Sequence, residues 1–430
     1  MNLTSTDNQQ QDLTLEEARA GIRLPKNRRK GLKVLYALGP GDVVSMYRDL
    51  LNGGKEAPFE MSIAFSKLFV DWCDETEAQG HFISWYTQKD SLQHGRYRFE
   101  NIPKSPLYLK GGIQHYVGSV MYGLKIVGKA FRERPDVLIV DSGTSLWMVF
   151  SLVSLLGIPV VTVIHSAFWP MGFPPQRRSK RLLAWLDGLF FRRFAAATVC
   201  VSPECERQLL HLAGKTKGPV YQCRAQFRTG FLDRVDPVPG HDVRPLRVLF
   251  VGRILECKGI FLIAAMAERL EKEMPGVFTW KIVGGGPDLE ALKRDVAARN
   301  VTGVVDVAGR LPREELLDCY GWAHAMVVPT TSEYNEGLAM TAAEAVLAGR
   351  PVVLSTVVPA WEVLGDAAIK VETGDVDGFV EKFRKLATDR AYYDHCAQAT
   401  QSVQQQFYDT AQGLGAVLGR AIDALDRRSS

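Results

Sequence analysis

AMVVPTTSEYNEGLAMTAAEAVLAGRPVVLS, residues 325–355, contains two short apolar runs on either side of an Ala-rich segment. The runs AMVVPT (325–330) and PVVLS (351–355) carry no charge and read as strands of a parallel sheet covered on both faces. Between them, the chain is rich in Ala, Leu and Met, opens at Gly337 and closes at Gly349, which predicts a helix over 337–348. Glu336 and Glu344 bracket this segment. Eight helical steps would turn the chain by about 800° and advance it by about 12 Å, leaving the two carboxylates on one face, two turns apart. That separation suits the two ends of one elongated ligand better than a single reacting bond.

The same alternation extends in both directions. Toward the N-terminus it restarts at RVLFVG (247–252), followed by a helix over 259–273, strand TWKIVG, a helix over 288–298, strand VVDVAG and a helix over 313–321. An earlier series begins at Lys33 with KVLYAL and the loop GPGD (39–42). It continues through DVLIV (136–140), VVTVI (160–164), a long helix over 177–194 and ATVCVS (197–202). The Pro- and Asp-rich stretch 233–246 reads as a linker. The predicted fold class is therefore α/β, with two doubly wound Rossmann-like domains facing across a cleft. The expected boundaries are a flexible arm over 1–30, a first domain over 31–235, a second over 236–395, and a helical tail over 396–430 that packs back on the first.

Composition narrows the function classes. The chain has 430 residues, 46% hydrophobic and 23% charged, with a formal net charge of +4. This is the balance of a globular protein, with too little basic density for a dedicated nucleic-acid binder. Seven scattered cysteines without a Cys-x-x-Cys pair indicate neither a disulfide framework nor a zinc site. A reducing cytoplasm is the expected compartment, and the polar N-terminus does not read as a signal peptide. Residues 144–164 are free of charge, but Gly157-Ile158-Pro159 breaks the run into an apolar helix (145–156) and a buried strand rather than one membrane span.

Arg253 follows a strand end and Lys258 precedes a helix, so two cations and free helix-end N–H groups could hold a diphosphate without a metal ion. VGGGP (283–287), with Gly285 at its centre, would let backbone approach a ligand closely, although the G-x-G-x-x-G spacing is absent. Asp375-Val376-Asp377 reads as turn and capping residues before a helix, not as a metal site.

Taken in order, VGRILECKG, IVGGGPDLEAL, AGRLPREELLDCYGWAHAMVVPT and EGLAMTAAEAVLAGRPVV resemble the glycosyltransferase family 4 group of GT-B enzymes. The resemblance covers roughly 140 residues of the second half. It implies retaining transfer of a hexose from a nucleotide-diphosphate-sugar, UDP- or GDP-linked, to a glycan, lipid-linked or small-molecule acceptor, with no separate cofactor. It implies that Arg253 and Lys258 bind the donor diphosphate. Glu344 would bind the ribose hydroxyls and Glu336 the sugar, with N–H groups from Gly337 and Leu338. Gly309, Arg310 and Leu311 match the stretch bordering the base. In the first half, His165 ends VVTVI where the family commonly has His-Asp, and here Ser166 follows it; the His is expected to contact the sugar. In GPGD, Gly41 is expected near the donor phosphate and Asp42 is a candidate acceptor-side base. The same fold would also serve a sugar-nucleotide 2-epimerase, a phosphorylase or a non-catalytic binding scaffold.

Two segments bear on the acceptor. Residues 168–194 carry Arg177, Arg178, Lys180, Arg181, Arg192 and Arg193 against the single acid Asp187, with Trp and Phe interleaved. Such a helix could rest on an anionic membrane or simply pack on the first sheet. Residues 84–112, aromatic and basic with few strand or helix signals, are expected to form an acceptor loop or a surface excursion.

Overall fold

The computed structural model describes residues 31–53, 61–227, 230, 232 and 234–426. The arm expected over 1–30 lies outside them. The first sheet has eight strands in the order β3-β4-β2-β1-β5-β6-β7-β8. These are β1 (Lys33–Pro40), β2 (Gln79–Trp85), β3 (Asp90–His94), β4 (Tyr97–Asn101), β5 (Val137–Asp141), β6 (Val160–Ile164), β7 (Ala195–Cys200) and β8 (Val220–Gln222). Among the described residues of this sheet, only the β3–β4 pairing is antiparallel. The second sheet, β11-β10-β9-β12-β13-β14, is parallel throughout. Its strands are β9 (Leu246–Val251), β10 (Phe278–Val283), β11 (Val305–Gly309), β12 (Ala325–Val328), β13 (Val352–Ser355) and β14 (Ala368–Val371).

The strand order reverses between β1 and β5 in one sheet and between β9 and β12 in the other. In doubly wound sheets ligands bind beyond the carboxyl ends of the strands at such reversals. Both reversals matter below, because each ends in polar residues after an uninterrupted apolar strand.

Three expectations are corrected. The helix read over 337–348 spans only Met340–Leu347, and Ala339 before it has φ +70°, outside the helical region. Glu336, Gly337 and Leu338 therefore lie in a loop, not on the helix that carries Glu344. The apolar segment 145–156 is a short 3-10 turn, Trp147–Phe150, leading into one helical turn, Ser151–Leu155, with Leu155 exposed. Residues 84–112 are not a plain loop: β3 and β4 form a hairpin that widens the first sheet, and a 3-10 turn follows at Pro106–Lys110. No described helix is long and apolar enough to cross a membrane.

The two halves are joined through part of their cores, while a second buried cluster, including Val248, Ile263 and Phe379, belongs to the second half alone. A single cluster of buried apolar residues runs from Leu35 and Val140 in the first sheet through Leu338, Ala342 and Val346 to Leu414 and Leu418 near the C-terminus. The last helix, Leu414–Asp426, lies against helix Met61–Glu75. Its glycines make that approach close: a Cβ at Gly415 would stand 2.2 Å from the Leu68 carbonyl oxygen, and one at Gly419 2.2 Å from Trp72 Nε1. Backbone hydrogen bonds from Phe227 to Phe407 and from Arg224 to Gln412, both 2.8 Å, tie the same segment down.

Candidate functional site

At the β9/β12 reversal the chain is locked backbone to backbone. Gly259 has φ +75°, and a Cβ there would fall 2.0 Å from the Pro329 carbonyl oxygen. This contact joins the loop after β9 to the end of β12 and brings Lys258 beside Glu336. Lys258 Nζ donates to Glu336 Oε1, and Thr330 Oγ1 donates to the same oxygen at 2.9 Å. The two charged side chains are only 16% and 6% exposed, so the pair is partly dehydrated and held by an extra donor. Tyr334 completes the cluster: its ring lies 4.0 Å from Lys258 Nζ, and its hydroxyl accepts from Arg253 Nη2. Arg253 itself is exposed.

Glu344 sits apart, on helix Met340–Leu347, where the Tyr320 hydroxyl donates to it. Burial raises its carboxyl above the usual range, opposed by the Tyr320 hydrogen bond and the charge of Arg313. The glycine loop mostly serves packing. A Cβ at Gly284 would stand 1.7 Å from the Gly252 oxygen, and one at Gly286 2.1 Å from the Ile254 oxygen. The Gly285 carbonyl accepts from Ile254 N at 3.0 Å, and the residue lies next to Arg310. Arg310 follows Gly309 at the end of β11 and is exposed, while Leu311 packs against the shared core.

The first domain approaches through His165. It follows β6, and its Nε2 is 3.2 Å from Asp141 Oδ2 at the end of β5. Asp141 is wholly buried, and Tyr36 donates to its other oxygen at 2.9 Å. Gly337 meets His165 directly: a Cβ on Gly337 would be 1.8 Å from the His165 carbonyl oxygen. Asn335 Nδ2 donates to the Phe168 oxygen at 3.2 Å beside this contact. Leu338 and His165 line one apolar pocket with Met340 and Leu414.

The structure thus gathers Arg253, Lys258, Glu336, Gly337, Leu338 and His165 around the cleft, and sets Gly285, Arg310 and Leu311 on neighbouring strand ends. GPGD behaves differently from expectation. Gly41 N donates to Trp85 at 3.1 Å and its carbonyl accepts from Ser84 Oγ at 2.7 Å, so both backbone groups are used in the fold. Asp42 caps helix Val43–Leu51 through Ser45 N at 2.9 Å and accepts from Asn101 at 2.6 Å, which fixes its carboxylate as a cap and counts against its use as a base. Asp375 likewise caps a helix through Gly378 N at 2.9 Å, and Asp377 pairs with Arg269. Thr330, Tyr334, Tyr320 and Asp141 were missed by motif reading. Thr330 and Asp141 carried a usable signal, since each is a polar residue closing an apolar strand at a sheet reversal.

Two largely parallel, doubly wound sheets with their reversals turned to one cleft define the GT-B class. The family model described as Glycosyl transferases group 1 matches residues 233–403, and the one described as Glycosyltransferase Family 4 matches residues 66–221. The chain belongs to glycosyltransferase family 4. It is 26% identical to a glycogen synthase of Mycobacterium tuberculosis over 290 residues, 64% of this chain and 66% of that protein, so the match spans just under two thirds of the relative's length. Sucrose-phosphate synthase from Thermosynechococcus elongatus shares the fold with a TM-score of 0.69 at 16% identity, over 93% of this chain and 100% of that one. HepE of Anabaena, solved in complex with UDP, shares it with a TM-score of 0.63 at 13% identity, over 91% of this chain and 100% of that one.

Proposed function

We propose that the protein is a retaining, metal-independent glycosyltransferase that moves a hexose from a nucleotide-diphosphate-sugar to an acceptor. The observation that carries this reading is the convergence of Lys258, Thr330 and Glu336 beside Arg253 at the β9/β12 reversal, with His165 facing them across Gly337. Arg253 and Lys258 supply the positive charge that a departing diphosphate requires, fixed in place before the reaction. Glu344, half-buried and bonded by Tyr320, takes the ribose hydroxyls, while Arg310 and Leu311 border the base. The UDP bound by HepE makes uridine diphosphate the first nucleotide to try.

In the step that follows, the acceptor hydroxyl oxygen bonds to the anomeric carbon on the face the phosphate leaves. The anomeric C–O bond breaks, and its electron pair goes to the diphosphate. The acceptor proton passes to the leaving phosphate oxygen, so the products are a glycoside of unchanged anomeric configuration and a nucleoside diphosphate. Glu336 and His165 orient the sugar, and no covalent enzyme intermediate is required.

Thermal-shift screening with UDP-, GDP-, ADP- and dTDP-sugars tests donor binding, because a ligand of the native state raises its melting temperature. Donors that stabilise the protein then enter transfer assays with and without EDTA, the anomer being read by NMR. Arg253→Ala, Lys258→Ala and Glu344→Ala should each abolish donor stabilisation. Full activity in all three would overturn the assignment. Conversion of the donor sugar with its nucleotide still attached, in the absence of acceptor, would identify an epimerase instead.

A further inference from the structure

Helix Gly112–Glu133 buries Tyr122, Ile126 and Ala130 against the first sheet. Its opposite face should be polar, but it carries Ile113, Val117, Met121, Leu124 and Phe131, all exposed, with Ile113 at 79%. At 100° per residue these five fall within a stripe about 80° wide, diametrically opposite the buried side chains. Two further segments pack in the same layer. Gly123 abuts Ser145 and Val149, and Trp147 stacks on Phe190 of helix Arg178–Arg193. On this outer layer Leu152, Leu155, Leu182 and Trp185 are also exposed, Trp185 at 60%. Scattered apolar residues are normal on a surface, but a stripe along one helix, with further exposed apolar side chains on two segments packed beside it, is not.

The charge of the layer identifies its occupant. No Asp or Glu occurs between Glu100 and Glu133, nor between Asp141 and Asp187. The acid Asp187 is turned inward, its carboxyl pushed up to about 7 by burial, with a backbone hydrogen bond at Trp147 opposing the rise. Arg177, Arg178, Lys180 and Arg181 are exposed beside the apolar residues. An apolar face flanked by cations and cleared of carboxylates complements a bilayer with anionic headgroups, into which the apolar side chains insert.

We infer that this helix layer docks the protein on an anionic membrane surface. Lys104, just upstream of the exposed helix, donates to the Gly143 carbonyl at 2.9 Å, and a Cβ on Gly143 would touch Pro40 at the end of β1. The docked layer thus begins beside the first-domain wall of the cleft. If the transferase reading holds, on which this last step rests, the acceptor class that fits is one anchored in the bilayer.

Flotation of the full chain with vesicles tests the surface without donor or acceptor, so its outcome is separate from that of the transfer assay. The chain should float with vesicles of phosphatidylcholine and phosphatidylglycerol and only weakly with phosphatidylcholine alone. Combining Ile113→Glu, Met121→Glu and Leu124→Glu should cut partitioning at least about tenfold, and so should Arg177→Ser, Arg178→Ser and Lys180→Ser together. All these positions are exposed, and unchanged melting temperatures confirm that the variants fold. Absence of flotation with anionic vesicles overturns the proposal, as does flotation that neither set of substitutions reduces. A wild-type dimer in sedimentation velocity that the apolar variant converts to monomer, without vesicle binding, would assign the stripe to a second copy of the chain instead.

Discussion

Glu344 holds its carboxyl where burial disfavours ionisation, and the folded protein bears that cost. Its pKa is higher folded than unfolded, so its contribution to stability is fully present below the unfolded value and is lost as pH rises through the folded one. Glu344→Gln should therefore raise the stability of the fold at pH 8 in thermal or urea melts while removing the stabilisation by nucleotide. Lys258 and Glu336 present the complementary case. Lys258→Met leaves a 6% exposed carboxylate with Thr330 but no cation, which should cost about 3–5 kcal/mol. The double variant Lys258→Met, Glu336→Gln should recover most of that loss in urea titrations yet remain inactive. If the double variant is as unstable as the single one, the pair is not the source of the loss.

At the scale of elements, the edge of the first sheet is pinned by one histidine. His81 on β2 meets Glu133 at 2.8 Å and Glu100 of β4 at 3.1 Å, and Lys129 reaches Glu100 at 2.7 Å. Burial alone would lower the His81 pKa, but the two carboxylates outweigh it and raise it above 6.5. Glu100 moves the other way, to about 2, because the His81 and Lys129 hydrogen bonds outweigh its own desolvation. The stabilisation from His81 is complete below its unfolded pKa and fades as pH rises through the folded one. That from Glu100 is complete above its ordinary value of 4.5 and fades as pH falls toward 2. His81→Gln should flatten the fall of melting temperature on the alkaline side of neutrality, a comparison that a pH series of melts makes directly. The loop before helix Met340–Leu347 offers a second test. Gly337→Ala should push His165 and the cleft walls apart and lower transfer about a hundredfold, as a 1 Å misplacement can, while circular dichroism stays unchanged.

Over the whole molecule, the C-terminal segment acts as part of the first domain. Leu414, Val417, Leu418, Ala421 and Ile422 are all buried in the shared cluster. Removing residues from Leu414 onward should cost more than about 5 kcal/mol of burial and make helix Met61–Glu75 sensitive to limited proteolysis. Much of this architecture was legible in the sequence, because parallel strands buried on both faces are uninterrupted apolar runs: VVTVI and RVLFVG announce themselves. The β3–β4 hairpin did not, since DSLQH and YRFEN lie at a sheet edge where polar residues are tolerated. The helix start was misread because Ala339 is a good helix former held at φ +70° by tertiary contacts that no propensity reports. Within the candidate site, the cations and glutamates could be found by motif. The Asp141–Tyr36 support of His165 could not, because its members come from three separate strands and meet only after the sheet has formed.

The meeting of Gly337 with the first domain also supplies a built-in chemical reporter. Cys205 on helix Pro203–Ala213 directs its Sγ at the Gly337 carbonyl, 3.9 Å away, and is fully buried, its thiol pushed up to about 12 chiefly by that burial. A maleimide can reach it only when the two lobes part or the fold opens locally. The rate at which the Cys205 peptide gains the label, followed by mass spectrometry alongside the half-buried Cys257, is thus a clock for cleft opening in the unmodified wild-type chain.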